Sequence, residues 1–399
     1  MNLNQDDTAL PLAGLTVLDF SQFLAGPSCA LRMADLGADV IKVERPDGGD
    51  LCRQLVLADQ KVGGDSALFH TINRNKRSFA ADLKDPADLE HVTALVARAD
   101  VMIHNFRPGV MERLGLDFAA VQQLNPRMVY AAVTGYGEAG PWRGKPGQDL
   151  LVQSLSGMAW LSGQGGDDAP PVPAGLSVVD MMTGAHLLQG ILALLVRRGI
   201  TGRGGRVDAS LLETALDLQF EPFTAFLNGD GEAPRRSRVN HANVHAAAPY
   251  GIYRTADGFL ALAMAPMDEL ARLVESPRLA ELAADRASWY RERDTLKQAL
   301  QDHLRSRSTQ HWLAQLEPAG IWCADVLTWS RLLEHPGFAV LDMVQPLSGR
   351  AAGMKTTRCP LRIDRQVLRS PRPAPAIGEH TQEILRELGL GPAREGSVA

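Results

Sequence analysis

The sequence predicts an α/β protein whose first part, about 200 residues, is an open, doubly wound parallel sheet. Three observations predict it. Short apolar, β-branched runs alternate with segments of helical period from residue 15 onward. The first strand, helix and strand fit within about thirty residues, the length of a βαβ unit. A polar stretch containing Gly and Pro, residues 228–249, then separates this pattern from a hairpin and a series of helices.

"LTVLDF" (residues 15–20) reads as a buried strand. "GPSCALRMADLGA" follows as a helix, with Pro27 suited to its first turn and Gly37 to its end. "DVIKVE" (residues 39–44) is the next strand, and "NRNKRSFAADLK" surrounds a short one. "DPADLEHVTALVARA" is a helix, "DVMIHNF" a strand, "GVMERLG" and "DFAAVQQLN" helices, and "MVYAAVTGY" a strand. Residues 182–204 form a long apolar helix with arginines in the last turn and glycines after it. "DASLLETALDLQF" is expected as another helix. Beyond the polar stretch, "YGIYRTADGFLALAM" places two strands around an Asp-Gly turn. Helices continue to residue 316, "GIWCADVL" is a late strand, and "SPRPAPAIGEHTQEILRELGL" is an extended, Pro-spaced piece ending in a helix.

With 45% apolar and 22% charged residues, the chain has the make-up of a soluble globular protein with ample core. A net charge of −5 and the lack of a long basic run argue against nucleic acid as a partner. No stretch approaches about 18 consecutive apolar residues, so no membrane partner is expected. The acidic, polar N-terminus is not a secretory signal. Cys29, Cys52, Cys323 and Cys359 form no CxxC pair, which speaks against a structural zinc site and a disulfide scaffold. A cytoplasmic protein with reduced thiols is the expectation.

A dinucleotide fold would carry GxGxxG between its first strand and helix, but "SQFLAGPSCA" has one glycine. Glu44 could hold a ribose at the end of the second strand, whereas Arg45 beside it suits a phosphate. There is no GxxxxGK[ST] loop and no HExxH, and "QSLSG" lacks the first glycine of a nucleophile elbow. His241 and His245 are four apart in a loop with no nearby carboxylate, so no metal site is expected.

The cations point further. Arg45, Arg74, Lys76, Arg77, Lys84, Arg107 and Arg113 lie at or near strand ends, where ligands bind in open sheets. Two readings stand: a pocket for a polyphosphate, or a solvated cationic face. Asp180 is ambiguous in the same way. It sits among Val178, Val179, Met181 and Met182, where a carboxylate loses hydration. It is either a helix N-cap or a reactive group, and Asp149 in "KPGQDLL" looks alike.

Several stretches decide between these readings by resemblance. "PLAGLTVLDFSQFLAGP", "MADLGADVIKVERPDGGD", "NRNKRSFAADLK", "VMIHNFRPGVMERLGLDF", "LNPRMVYAAVTGYGEAGPW", "TGRGGRVDASLLE" and "PAPAIGEHT" occur in order and at family-like spacing. With them the chain resembles the class III CoA-transferases, a family that includes formyl-CoA and carnitine CoA-transferases and shares its fold with α-methylacyl-CoA racemases. The resemblance implies a Rossmann-like large domain built from both chain ends, plus a smaller α+β domain, in an interlocked, ring-like homodimer. The large domain is expected at 1–227 and 317–399, and the small domain, with a lid loop, at 228–316.

The resemblance also implies roles. "SVVDMMTGAH" matches the family's catalytic aspartate, so Asp180 is the expected nucleophile, with Asp149 beside the active site orienting its neighbours. Coenzyme A would contact Leu24 and Ala25. Its phosphates would face Arg45, Arg113 and Arg74. Ala81 to Lys84 and Asn105, Phe106 and Arg107 would line the adenine and pantetheine path, with Lys145 to Gln148 near the thiol. CoA and its thioesters are then substrates, no permanent cofactor is needed, and the second substrate is a small carboxylic acid.

Two departures bear on specificity. The family's formyl-CoA transferase has a glycine run where "HANVHAAAPYG" carries three alanines, and a glutamine where Leu24 stands. A different lid is therefore expected, and formyl or oxalate specificity is not. His241, Asn243 and His245 could bind an acceptor carboxylate or simply hold their loop. The racemases' Gly-His-Asp motif reads "GQD" here, and Gln148 cannot carry a proton as a second base. A racemase, and a non-catalytic CoA-ester binder, remain the alternatives to a succinyl-CoA-type transferase acting on a dicarboxylic or hydroxy acid.

Overall fold

Strand β1 (Thr16–Asp19), helix α1 (Ala25–Asp35) and strand β2 (Asp39–Glu44) open the fold in a computed structural model that describes residues 10–56 and 58–390. The polar start of the N-terminal segment, residues 1–9, lies outside the described residues. Further strands are β3 (Arg77–Ala80), β4 (Val101–His104), β5 (Val129–Thr134) and β6 (Gly205–Ser210). All pair in parallel in the order β3-β2-β1-β4-β5-β6. In this doubly wound order the direction of winding reverses between β1 and β4. Apolar runs set the register: Val17 lies opposite Val40 on one side and Val101 on the other. Val17, Leu18, Val101, Met102, Ile103 and Val129 are fully buried, as a sheet covered on both faces requires.

Strand β6 is a correction to the expected helix at "DASLLETALDLQF". Asp208, Ala209 and Ser210 pair with β5, and the helix begins only at Leu211. A short strand with polar alternate residues carries little periodic signal of its own, and pairing with β5 decides its state.

Helix α2 (Pro86–Arg98) starts where Asp85 accepts hydrogen bonds from the N–H groups of Ala87 and Asp88, with Pro86 in the first turn. Helices α3 (Asp149–Leu155) and α4 (Val178–Thr201) follow. Helix α4 begins four residues before the expected start at residue 182, which puts Asp180 inside its first turn. It ends at Gly202, whose φ of +73° suits the left-handed cap. By length and composition alone, α4 is apolar enough to cross a membrane. Asp180, Thr183, His186 and Gln189 interrupt its apolar run, and two of its glycines pack tightly. A Cβ on Gly190 would lie 2.4 Å from Val207 of β6, and one on Gly184 would lie 2.2 Å from Ser28 Oγ of α1.

Two units divide the chain. The first takes the described parts of Met1–Val152, Ser177–Thr214 and Leu341–Ala399, so both chain ends build it. Helix α8 (Thr381–Leu388) packs Ile384, Leu385 and Leu388 into the same core as Phe79 and Val92. Arg77 ties it down through Glu383 at 3.0 Å and Glu387 at 2.8 Å.

The second unit is Gln153–Leu176 with Ala215–Val340. Its antiparallel sheet runs β9-β8-β7, from β7 (Gly251–Arg254), β8 (Phe259–Leu262) and β9 (Cys323–Asp325). The expected Asp-Gly turn joins β7 to β8, and Asp257 accepts the Thr309 N–H at 2.8 Å. Helices α5 (Met267–Leu273), α6 (Arg293–Leu304) and α7 (Thr309–Leu316) bury Leu270, Leu300 and Leu316 against Tyr253 and Leu260. This division differs from boundaries at 228 and 316. The late strand β9 pairs with β8, which places residues 317–340 with the hairpin, and residues 153–176 and 215–227 also group there.

Candidate active site

The loop after β1 is locked from below. Asp19 is fully buried and pairs with Lys76 at 2.7 Å. It also accepts the Ser21 N–H at 3.0 Å and the Ser21 hydroxyl. Lys42, equally buried, donates to the Ser21 carbonyl at 2.8 Å and pairs with Asp50 at 2.7 Å. Burial works against the charge on Lys42, but Asp50, Asp19 and Glu44 outweigh it and raise its pKa. Burial also opposes the Lys76 ammonium; there it wins over Asp19 and brings the group down to about 8. Removing one member of such a network would strand a buried charge.

From above, Asn105 clamps the same loop. It accepts the Gln22 N–H at 2.9 Å and donates to the Gln22 carbonyl at 2.7 Å. The loops after β1 and β4 are thereby joined at the reversal of the sheet, where open α/β folds place their ligands.

A cleft of about 190 Å³ opens there. Among its lining residues are Arg45, Ala81, Lys84 and Phe106, all singled out from the sequence, with Phe20, Lys42 and Leu114 in addition. Arg45 and Lys84 are exposed and make no ion pair among the described residues. Arg107 and Arg113 are exposed nearby; Arg107 lines a smaller cavity with His104, Tyr130 and Arg206. The Phe106 ring stacks on His104 at 6.2 Å between centroids.

Arg74 departs from the expected set. It is 1% exposed and bonds to Asp35 through both terminal nitrogens, one of them at 3.0 Å. It is a core ion pair holding α1, and it does not line the cleft. Its position in a run of cations gave no sign of this, because Asp35 is distant in sequence. Leu24 caps α1 and Ala25 opens it, buried, without lining the cleft.

The two carboxylates lie in the same unit. The exposed segment that includes Lys145 and Gln148 leads to Asp149. It is pressed onto the end of β5, where a Cβ on Gly147 would meet Gly135 Cα at 2.4 Å. Asp149 starts α3, is 6% exposed, and accepts the backbone N–H of Asp180 at 2.9 Å. Asp149 is thus a cap for α4 supplied from another helix.

Asp180 itself is not the cap. The N-cap is Ser177, and the Asp180 carboxylate accepts no hydrogen bond among the described residues. Burial, with Asp149 as the second cause, pushes its carboxyl up to about 7. A half-buried carboxylate with a raised pKa beside a second carboxylate is the kind of group that functional sites contain.

Known proteins resemble this chain over nearly its whole length. The sequence profile of CoA-transferase family III matches residues 12–381. The chain belongs to CoA-transferase family III. It is 31% identical to the succinyl-CoA:glutarate CoA-transferase of Mus musculus, over 96% of this chain and 87% of the mouse protein. The succinyl-CoA:mesaconate CoA-transferase of Haloarcula hispanica is 32% identical over 95% of this chain and 97% of its own. A crystal structure of a CAIB/BAIF family protein from Brucella suis superposes with a TM-score of 0.80 at 29% identity, covering 95% of this chain and all of that one.

As a family III CoA-transferase, the protein is an enzyme acting on acyl-CoA thioesters and carboxylic acids. The cleft, its cations and Asp180 belong to the first unit. His241, Asn243 and His245 belong to the second. Of the two readings expected for His241, its hydrogen bonds are those of a loop anchor. Its Nδ1 accepts the Ser237 N–H at 3.0 Å and its Nε2 lies 3.0 Å from the Leu161 carbonyl. Both ring nitrogens are therefore occupied by the neutral tautomer, and burial lowers its pKa. Asn243 is spent in part on the turn, accepting the His245 N–H at 2.8 Å. His245 keeps a buried Nε2 without a hydrogen-bond partner and lines a cavity of the second unit.

Sequence reasoning missed Phe20, Lys42 and Asp50. One signal was present for Lys42: a lysine inside the apolar strand "DVIKVE", which burial obliges to find partners.

Proposed function

We propose that this transferase moves CoA from succinyl-CoA, or a similar donor, to a small dicarboxylic or hydroxy acid, with Asp180 as covalent nucleophile. The carrying observation is the unpartnered, half-buried Asp180 carboxylate, held near neutrality in its pKa. Near pH 7 about half of it is ionised, and its poor hydration and raised basicity make the ionised half a better nucleophile.

In this scheme an Asp180 oxygen attacks the thioester carbonyl. The C–S bond breaks, giving a mixed anhydride and CoA thiolate. The thiolate attacks the Asp180 carbonyl, expels the donor's carboxylate, and leaves an aspartyl-CoA thioester. The acceptor carboxylate attacks that carbonyl and again releases the thiolate. The thiolate then attacks the acceptor's acyl carbon, forming the new acyl-CoA and regenerating Asp180. Asp149 keeps the first turn of α4 in place throughout. Exposed Arg45, Lys84, Arg107 and Arg113 are the expected phosphate partners, and no resident cofactor enters the scheme.

Relatives named for glutarate and mesaconate support a dicarboxylic acceptor, and their shared donor supports succinyl-CoA. Intact-protein mass spectrometry with a panel of acyl-CoAs, followed by hydroxylamine, tests the scheme. A hydroxamate on Asp180 is expected with the true donor. Asp180→Ala turning over at near wild-type rate would falsify it.

A homodimer, interlocked as the resemblance implies, belongs to the same proposal. Val196 and Ile200 on α4, 68% and 84% exposed, are apolar groups that a second chain would cover. Light scattering that gave a single-chain mass would remove this part.

A further inference from the structure

Helix α3 carries two polar side chains one turn apart, Asp149 and Gln153, a spacing that puts both on one face. Asp149 takes the Asp180 N–H. Gln153 is 2% exposed, although glutamine is ordinarily a surface residue. Its buried amide is bonded to backbone. Oε1 accepts the Ala174 N–H at 2.9 Å, and Nε2 donates to the Leu176 carbonyl at 3.2 Å. Between those two groups Gly175 turns the chain with φ of +76°, a conformation that favours glycine.

Little else holds this segment. Residues 171–177 are exposed, Leu176 at 63%, so burial does not fix the approach to α4. Ser177, the N-cap residue, makes no side-chain hydrogen bond to the first turn. Upstream, the Val172 N–H donates to the Ala159 carbonyl at 2.7 Å. Asp180 lies about one turn beyond Leu176. A buried amide costs folding energy unless it is hydrogen-bonded, a demand that an apolar side chain of the same size would not make. What the glutamine adds is a fixed path into the turn that carries Asp180.

We propose that Gln153 is a positioning residue for the transfer reaction. It fixes residues 174–176, so that the first turn of α4 stays formed and the Asp180 carboxylate keeps its place. The inference rests on Asp180 being the nucleophile. Gln153 acts through backbone, where Asp149 acts on the helix end itself.

The test compares wild type with Gln153→Met, which keeps the side chain's length and loses both bonds, and with Gly175→Ala. A Cβ on Gly175 meets nothing within 4 Å, so the second substitution strains the turn without disturbing packing. Hydrogen–deuterium exchange of the full chain should quicken about tenfold in Gln153→Met for residues 174–181 and stay as in wild type in α2. With succinyl-CoA and glutarate as probes, kcat should fall about tenfold. The KM for succinyl-CoA should stay within about twofold, because Gln153 is not among the residues lining the cleft. Gly175→Ala should lower kcat about two- to fivefold.

Exchange that does not quicken in Gln153→Met, or kcat that stays at the wild-type value, would overturn the proposal. If Gln153→Met does not fold, Gly175→Ala decides, and an unchanged kcat there overturns it too. Asp180→Ala in the same assay keeps the two readings apart. Wild-type turnover by that variant would remove the nucleophile, while exchange would still report what Gln153 holds.

Discussion

The backbone N–H of Asp180 donates to the carboxylate of Asp149 at 2.9 Å. One hydrogen bond thus fixes the first turn of α4 and sets two carboxylates side by side. The buried member, Asp149, is spent on the helix end, while the Asp180 carboxylate is left without a hydrogen bond. Their proximity adds to desolvation in making Asp180 hard to ionise.

Replacing Asp149 by asparagine removes the charge and leaves an oxygen to accept the Asp180 N–H. The acidic limb of the pH–rate profile should then move below about 7, since in the proposed scheme ionised Asp180 is the nucleophile. The move should be only part of the displacement, since burial is the larger cause. Initial rates from pH 5 to 9 measure it. A limb that stays put would mean the two carboxylates do not interact.

Asp180 costs stability when ionised. Its carboxyl titrates near 3.8 in the unfolded chain and at about 7 in the fold, so the native state binds the proton more tightly. Stability is therefore lost as pH rises from about 4 to about 7. Asp180→Asn should melt above wild type at pH 8 and level with it at pH 4. Calorimetric scans at both pH values decide this, and a variant less stable at pH 8 would contradict it.

Gly184 lets α1 and α4 touch. A Cβ there would lie 2.2 Å from Ser28 Oγ and 2.6 Å from the Ala25 carbonyl. The backbone atom cannot swing away as a side chain can. Gly184→Ala should lower stability by about 1–3 kcal/mol and also reduce kcat, because it pushes Asp180 and the α1 start apart. Urea unfolding with parallel kinetics would show both effects, or refute the close packing if neither appears.

Lys84 and Arg74, both cations of "NRNKRSFAADLK", should behave in opposite ways. Lys84→Ala should raise the KM for acyl-CoA about two- to fivefold, less at high salt, with melting unchanged. Arg74→Ala takes its buried ion partner from Asp35, which keeps Arg32 at 2.8 Å and the Ser370 hydroxyl at 3.0 Å, and should cost about 2–3 kcal/mol of stability. Should Arg74→Ala fold as well as wild type while only KM rises, its assignment to the core would be wrong.

By itself, the sequence determined the alternation of strands and helices in the first unit, the Asp-Gly hairpin of the second, and Asp180 with Asp149 as the carboxylates to watch. Each follows from local facts: an apolar period of 2 or 3.6, a turn dipeptide, a charge in an apolar run. Its motifs also carried the resemblance to the family. The tertiary structure alone decided that "GRVDAS" is a strand, that β9 belongs with the hairpin, and that Arg74 and His241 are anchors while Arg45 and Lys84 face a cleft. These depend on partners distant in the chain. A cation's role is set by whether a carboxylate lies within hydrogen-bond reach and whether water does, and neither is written in its neighbours.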